Sequence, residues 1–382
     1  MRLWPFRGRA APAPLTSDDL GLSEELLRRS IEDVFLVEEH QVTGGAIVYR
    51  GRLWQPPTRA LEALESRLRP LGFTPFLRQD GDRIVLQALP LAEPGAFRGA
   101  GLNVALFLLT CLSTLLAGAG FTGSPTFDTF RTTWMGTLFL SGVPFAATLL
   151  AILGVHEFGH YFTARHYRAT VSLPYFIPAP PPLFLFGTMG AIIQMRSPTR
   201  SRNSLFDIAA AGPIAGLVVA VPALMLGLAW SAVVPMPPDG HVVFGQSILM
   251  RWLVEARFGA IPHGMMLYTH PIADAAWAGF FVTALNLFPV GQLDGGRIAY
   301  ALFGRRHRMV GMLTVGATLA LGLITQSPNW FVWAALVIFL IGFHHSPPLD
   351  DVTPLSPARR VVGALCLVLF VLLIPPIPIR VG

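Results

Sequence analysis

Residues Met135–His160 read MGTLFLSGVPFAATLLAILGVHEFGH. An almost purely apolar run, of about the 20 residues that a membrane span needs, ends on two histidines and a glutamate. Ionisable side chains at the edge of a hydrocarbon-seeking helix are costly unless they have a task, so this stretch sets both the fold class and the place to look for chemistry.

The composition puts that run in a membrane protein. Of 382 residues, 53% are hydrophobic and only 13% charged, with a mean hydropathy of +0.55, against about 25% charged residues in an ordinary soluble domain. Thirteen of the 22 acidic residues lie between Asp18 and Glu93, and Glu157 is one of the nine left for the rest of the chain. The net charge of +6 comes from arginine alone, since the chain has no lysine. The arginines read as topology signals rather than a nucleic-acid surface, so no nucleic-acid partner is expected. Cys111 and Cys366 fall inside apolar runs and read as small hydrophobes. The opening residues, MRLWPFRGRAAPAPL, carry charge without a following apolar core, which is not the pattern of a secretory signal.

The expected fold is a polytopic α-helical membrane protein of about 7–8 spans with a small α+β soluble N-terminal domain. A flexible 1–22 precedes a domain over 23–97, expected in the cytoplasm, and a transmembrane domain over 98–382 has its core at about 135–300. Within 23–97, helix-like runs at Glu24–Phe35 and Thr58–Leu68 alternate with strand-like ones at Ala46–Leu53, Thr74–Arg78 and Arg83–Ala88, and the Asp-Gly of QDGD signals a hairpin. The apolar runs are Gly101–Phe121, Met135–Phe158, Ile208–Val234, Ile272–Val290, Met309–Ile324, Phe331–Phe343 and Val361–Pro375, with Leu173–Met195 as a possible eighth element. Arginines gather in alternate loops: Arg165 to Arg202 after the second run, Arg297 to Arg308 after the fourth, Arg359 and Arg360 before the last. Positive-inside counting places these loops on the cytoplasmic side. The second and fourth runs then end at similar depth, the second on HEFGH and the fourth on NLFPVGQLDGGR, Asn286–Arg297.

His156 and His160, four apart on a helix, project from one face at the spacing for sharing one zinc ion. Glu157 lies about 100° round the helix and can reach a metal-bound water without being a ligand. Ten histidines and ten glutamates make about 0.007 chance HExxH matches in a chain of this length. A catalytic zinc takes three protein ligands and keeps one position open. Asp294 is the best placed third ligand among candidates that include Asp128, Asp207, Asp239, His241, Asp274, Asp350 and Asp351, because it ends a span at the depth of HEFGH. Taken alone, Asp294-Gly295-Gly296 reads more readily as a helix exit.

HEFGH on a membrane segment, followed about 130 residues later by Asn286, Pro289, Asp294, Gly295 and Gly296, resembles the site-2 proteases, intramembrane zinc metalloproteases. The flanking THPIADAAWAGFFVTALNLFPVGQLDGG, the earlier PAPPPLFLFGTMGAIIQMRSP and AAAGPIAG are similar to the EGY-type branch. One departure is Arg297, where many relatives have histidine. The resemblance implies that His156, His160 and Asp294 hold one zinc ion per chain. It also implies that Glu157 is the general base and acid as zinc-bound water attacks the scissile carbonyl. Asn286 is the candidate for stabilising the oxyanion or orienting substrate; satisfying helix carbonyls beside Pro289 explains it equally well. The implied partners are a transmembrane protein substrate and the lipid bilayer, in regulated intramembrane proteolysis; the oligomeric state is left open. The lack of a transit-like leader points to a bacterial inner membrane, with the active site near its cytoplasmic face.

Phe186–Met195, glycine-broken and then β-branched, suggests a re-entrant β-hairpin whose edge would pair with an extended substrate strand, with Pro178–Pro182 as a rigid spacer leading in; a short membrane-surface loop explains the stretch equally well. Ala209–Gly216 has small residues at helix spacing and is expected to pack beside the two metal-bearing helices, with Asp207 as its N-cap. His270-Pro271 lies at the outer end of the fourth span and reads as structural. The alternative functions are a non-proteolytic membrane chaperone or scaffold, against which the retained Glu157 argues, and a metal transporter, which would need paired polar residues in mid-span.

Overall fold

The structure, a computed structural model, describes residues 25–43, 46–91, 99–121, 136–181, 184–236 and 242–381. The expected flexible 1–22 lies outside them, as do Asp128, Asp239, His241 and Pro182.

The N-terminal domain is a four-stranded antiparallel sheet, order β1-β2-β4-β3, with helices on one face. A short helix α1 (25–31) leads into β1 (Phe35–Thr43), then β2 (Ala46–Leu53), α2 (Pro57–Leu68), β3 (Phe73–Asp80) and β4 (Arg83–Pro90). The expected helix through Phe35 therefore stops earlier: Phe35 opens a strand, paired from Phe35↔Leu53 to Thr43↔Ala46. The QDGD hairpin closes on Asp80↔Arg83, with Gly81 at φ +61°, a conformation that glycine supplies without steric cost. Ala60, Leu61, Leu64 and Leu68 form the buried stripe of α2 and pack with Leu27, Ile31, Ile47, Tyr49, Leu77 and Leu86.

The seven apolar runs fall on α3 (Gly101–Phe121), α4 (Gly136–His166), α5 (Arg202–Ala229), α7 (Pro271–Asn286), α9 (His307–Thr325), α10 (Pro328–Leu336) and α11 (Pro357–Leu373), and two helices outside them, α6 (Ile248–Phe258) and α8 (Asp294–Phe303), were not expected. Among the described residues four helical stretches are long and apolar enough to cross a membrane: Gly101–Gly120, Ser141–His166, Arg202–Ala229 and Asp294–Thr325. The expected count of seven to eight is not reached, because α7 has 16 residues, α11 has 17 and α10 has nine. The α10 run ends in a π-helical turn, Val337–Ile341.

The hairpin is wider than expected. β5 (Tyr175–Pro178) pairs with β6 (Thr188–Ile192), so the proline-rich stretch joins the two strands instead of leading into a hairpin within 186–195. Asp207 is not an N-cap either. Ser201 caps α5, its hydroxyl accepting from the Ser204 amide, and Asp207 lies a turn and a half inside, where both carboxylate oxygens accept from Arg359 at 2.7 Å. A bidentate, charge-assisted arginine partner outweighs the local preference of Asp for a cap.

A clasp joins the two parts. The Leu349–Asp351 segment runs between the edge of β3 and the Thr199–Ser201 segment. The Leu77 amide donates to the Leu349 carbonyl at 2.7 Å and the Asp351 amide to the Leu77 carbonyl at 2.9 Å, while the Leu349 and Asp350 amides donate to Thr199 and Arg200. Leu349 is buried in the N-terminal core. Asp351 accepts from Arg202 at 2.7 Å and from the Tyr300 hydroxyl at 2.9 Å.

Candidate metal centre

Three helices meet where the two motifs end. The α4 segment carries His156 and His160, and α5 packs along it with its small-residue face: Gly212 lies against His160 and Gly216 against His156. α7 ends at Asn286, and the chain turns through Leu287–Leu293 into α8, whose first residue is Asp294. The turn is too tight for side chains at the glycines. A Cβ at Gly295 would lie 1.9 Å from the Leu287 carbonyl oxygen, and one at Gly296 2.5 Å from the Val290 oxygen. The Asp-Gly-Gly of the sequence is therefore both a turn and the device that brings a carboxylate back to α4.

The structure brings His156, His160 and Asp294 together. His160 Nε2 lies 3.1 Å from His156 Nε2 and 3.1 Å from Asp294 Oδ2, and His156 Nε2 lies 3.5 Å from the same oxygen. All three donor atoms fall within 4.8 Å of one another, the one such group of three His, Cys, Asp or Glu among the described residues. The histidines are buried, and the Asp294 side chain is 12% exposed. The His160 ring is oriented from behind: its Nδ1 lies 2.7 Å from the Ile208 carbonyl oxygen. A carbonyl only accepts, so the proton sits on Nδ1 and the Nε2 lone pair faces the other two donors, the tautomer that a backbone carbonyl behind the ring fixes in metal-ligating histidines.

Two imidazole nitrogens and a carboxylate oxygen at this separation suit a first-row divalent cation, and their number suits a catalytic zinc site with an open position. Glu157 is buried and next in sequence to His156, outside the three-atom group. Asn286 Nδ2 lies 3.3 Å from His156 Nε2, so both proposed catalytic side chains border the group. Arg297, one turn along α8 from Asp294, points at Met195 beyond β6, Nη1 to Sδ 3.9 Å. The other candidate carboxylates are elsewhere: Asp207 is held by Arg359, Asp351 by Arg202, and Asp350 caps the amides of Val352 and Thr353. His270 caps α7, its ring nitrogen accepting from the Ile272 amide. The orienting Ile208 carbonyl and the fit of Gly212 are roles that motif reading misses; the small residues of Ala209–Gly216 were the signal available for the second.

Residues 144–324 match the model of Peptidase family M50. The chain is similar to Probable zinc metalloprotease EGY2, chloroplastic, of Oryza sativa subsp. indica, 29% identical over 370 residues, 91% of this chain and 64% of the relative. It is also similar to the EGY2 of Arabidopsis thaliana (28% over 369 residues, 91% and 62%) and the EGY1 of Arabidopsis thaliana (32% over 246 residues, 62% and 43%). The chain thus spans less than two thirds of these relatives' own length. No solved structure matches it. The relatives are plant proteins named as chloroplastic, which supports no bacterial inner membrane; the apolar helices support integration into a membrane. The two motifs converge on one donor group inside the region that matches Peptidase family M50, and the chain is similar over most of its length to the EGY zinc metalloproteases.

Proposed function

We propose that this chain is an intramembrane zinc metalloendopeptidase that hydrolyses a peptide bond in or near a transmembrane segment of a membrane-protein substrate. The observation that carries the reading is the convergence of His156, His160 and Asp294 on one point, with Glu157 beside it. One zinc ion per chain held there would supply Lewis-acid activation of water and charge for the developing oxyanion. Glu157 takes a proton from the attacking water at a carboxylate oxygen and returns it to the leaving amine nitrogen. Asn286 donates from Nδ2 to the oxyanion or to the substrate carbonyl. The buried helix packing around the donors excludes bulk water, which strengthens each of these interactions.

Substrate delivery is proposed at β6. No third strand pairs with it among the described residues, and Met189 and Ile192 are exposed, so an unwound substrate segment can add as a strand. The proposed membrane side is the one that holds the arginine-rich loops.

The test is zinc content and peptide-bond cleavage of purified wild type beside Glu157→Gln and Asp294→Ala. The expected result is about one zinc in wild type and in Glu157→Gln, a 10²–10⁴-fold loss of turnover in Glu157→Gln, and loss of zinc in Asp294→Ala. Full zinc binding by Asp294→Ala overturns the ligand set, and unimpaired cleavage by Glu157→Gln overturns the mechanism.

A further inference from the structure

Among the described residues the N-terminal sheet has its helices α1 and α2 on one face, and its other face is not bare. Strand register puts Arg50 of β2 and Arg78 of β3 on either side of Val85 of β4, through the pairs Arg50↔Val85 and Arg78↔Val85. Directly opposed residues share a face, so two guanidiniums flank one valine on the helix-free side. The turn between α8 and α9 closes over them. Arg305 Nη1 lies 3.6 Å from Asp80 Oδ1, and Nη2 donates to the Gln79 carbonyl at 3.3 Å. Between the sheet and this turn lies a cavity of about 370 Å³ whose polar lining is Gln41, Arg50, Arg78, Asp80, Gln87 and Arg305.

The charges there are unbalanced. Asp80 is shared with Arg305. Arg50 reaches Glu39 at 3.6 Å, but the same carboxylate is held more closely by Arg83 at 2.7 Å. Arg78 has no acidic partner among the described residues. Three guanidiniums from two parts of the chain therefore line a space of small-molecule size against one carboxylate in its wall, with two glutamine amides as further donors.

We propose that this cavity binds a phosphate-bearing anion, which bridges Arg78 of the N-terminal domain and Arg305 of the membrane domain. A guanidinium fork matches phosphate oxygens in a bidentate, charge-assisted way. Arg50 and the amides of Gln41 and Gln87 complete the donor set, and Val48 and Val85 form the apolar floor. The ligand adds a polar tie between the two parts of the chain beside the clasp at Leu349–Asp351. The phosphate belongs either to a soluble molecule or to a lipid headgroup, which meet the same donors.

The test is titration of the full-length protein in detergent with inorganic pyrophosphate at constant ionic strength, followed by calorimetry. Wild type should bind saturably; Arg78→Gln and Arg305→Gln should each lose about tenfold or more in affinity; Arg59→Gln, exposed on the helical face, should bind as wild type. Absence of saturable binding by wild type, unchanged affinity in Arg78→Gln, or an equal loss in Arg59→Gln overturns the proposal. In nanodiscs, phosphatidic acid that competes with pyrophosphate upholds the site as a headgroup site, and failure to compete upholds it as a site for a soluble phosphate. Binding is read directly, so the result is independent of whether the metal centre cleaves peptides.

Discussion

Gly212 on α5 faces the imidazole of His160 on α4 so closely that a Cβ built on it would lie 2.1 Å from Nε2 and 2.5 Å from the neighbouring ring carbons. In an ordinary helix interior alanine is favoured over glycine by about 1 kcal/mol. Here the contact is with the donor atom of a proposed ligand held from behind by Ile208, so the ring has no direction in which to yield. Gly212→Ala is therefore expected to lower zinc affinity by at least the 10–100-fold typical of disturbed ligand orientation, while leaving helix content unchanged. Zinc titration against a competing chelator measures it, and wild-type affinity in this variant would remove the packing argument.

Asn286 has two readings that one pair of measurements separates. Its amide is 3.3 Å from His156 Nε2 on the last residue of α7, close enough to serve an oxyanion and also close enough to steady the histidine. As an oxyanion donor, its replacement by alanine should cut kcat about 10²–10³-fold with KM and zinc content little changed. A fall in zinc content in step with activity would make Asn286 a positioning residue for His156 instead.

Much of this architecture was legible in the sequence, for reasons that also explain what was not. The run Gly101–Phe121 is α3 to the residue, because a uniformly apolar segment bounded by Gly and polar residues has one reading. The donors converge because the glycine-bearing turn after α7 returns Asp294, the first residue of α8, to the histidine face of α4. β1 was hidden: its FLVEEHQVT carries charge where a half-buried strand would alternate. It is an edge strand whose outward carboxylates, Glu38 and Glu39, pair with Arg50, Arg52 and Arg83 across the sheet. The clasp was hidden more deeply, since nothing local to Leu349–Asp351 announces pairing with Leu77, some 270 residues earlier. Asp207 was misread because its partner, Arg359, is also remote, 152 residues later.

The clasp makes a prediction of its own. Leu349 is 4% exposed within a core otherwise built from the N-terminal domain, so Leu349→Ala should cost about 2–5 kcal/mol of docking and domain stability. The backbone bonds of Leu77 and Asp351 hang on that anchor, so their amides should exchange faster while those of α4 and α5 keep their protection. Hydrogen exchange by mass spectrometry reads this directly. Uniform protection across β3 and 349–351 in the variant would mean that the hydrogen bonds hold the domains together without the leucine.

His345 contributes to the acid side of the stability curve. Burial, with the positive charge of Arg297 and the His307 ring nearby, pushes it down to about 3; its Nδ1 has no hydrogen-bond partner, and the ring stacks on Tyr300 at 4.8 Å. An unfolded histidine titrates near 6.5. Between about pH 6.5 and 3 the unfolded chain therefore holds a proton that the folded chain refuses, so stability falls as pH falls through that window and is unaffected by this group above it. His345→Gln cannot take up that proton. Its melting temperature, followed from pH 7 to 4, should decline less steeply than that of wild type, by the contribution of about one proton per chain. Parallel declines in the two proteins would mean that His345 is protonated in the folded state, and that the ring moves out of its place against Tyr300 on acidification.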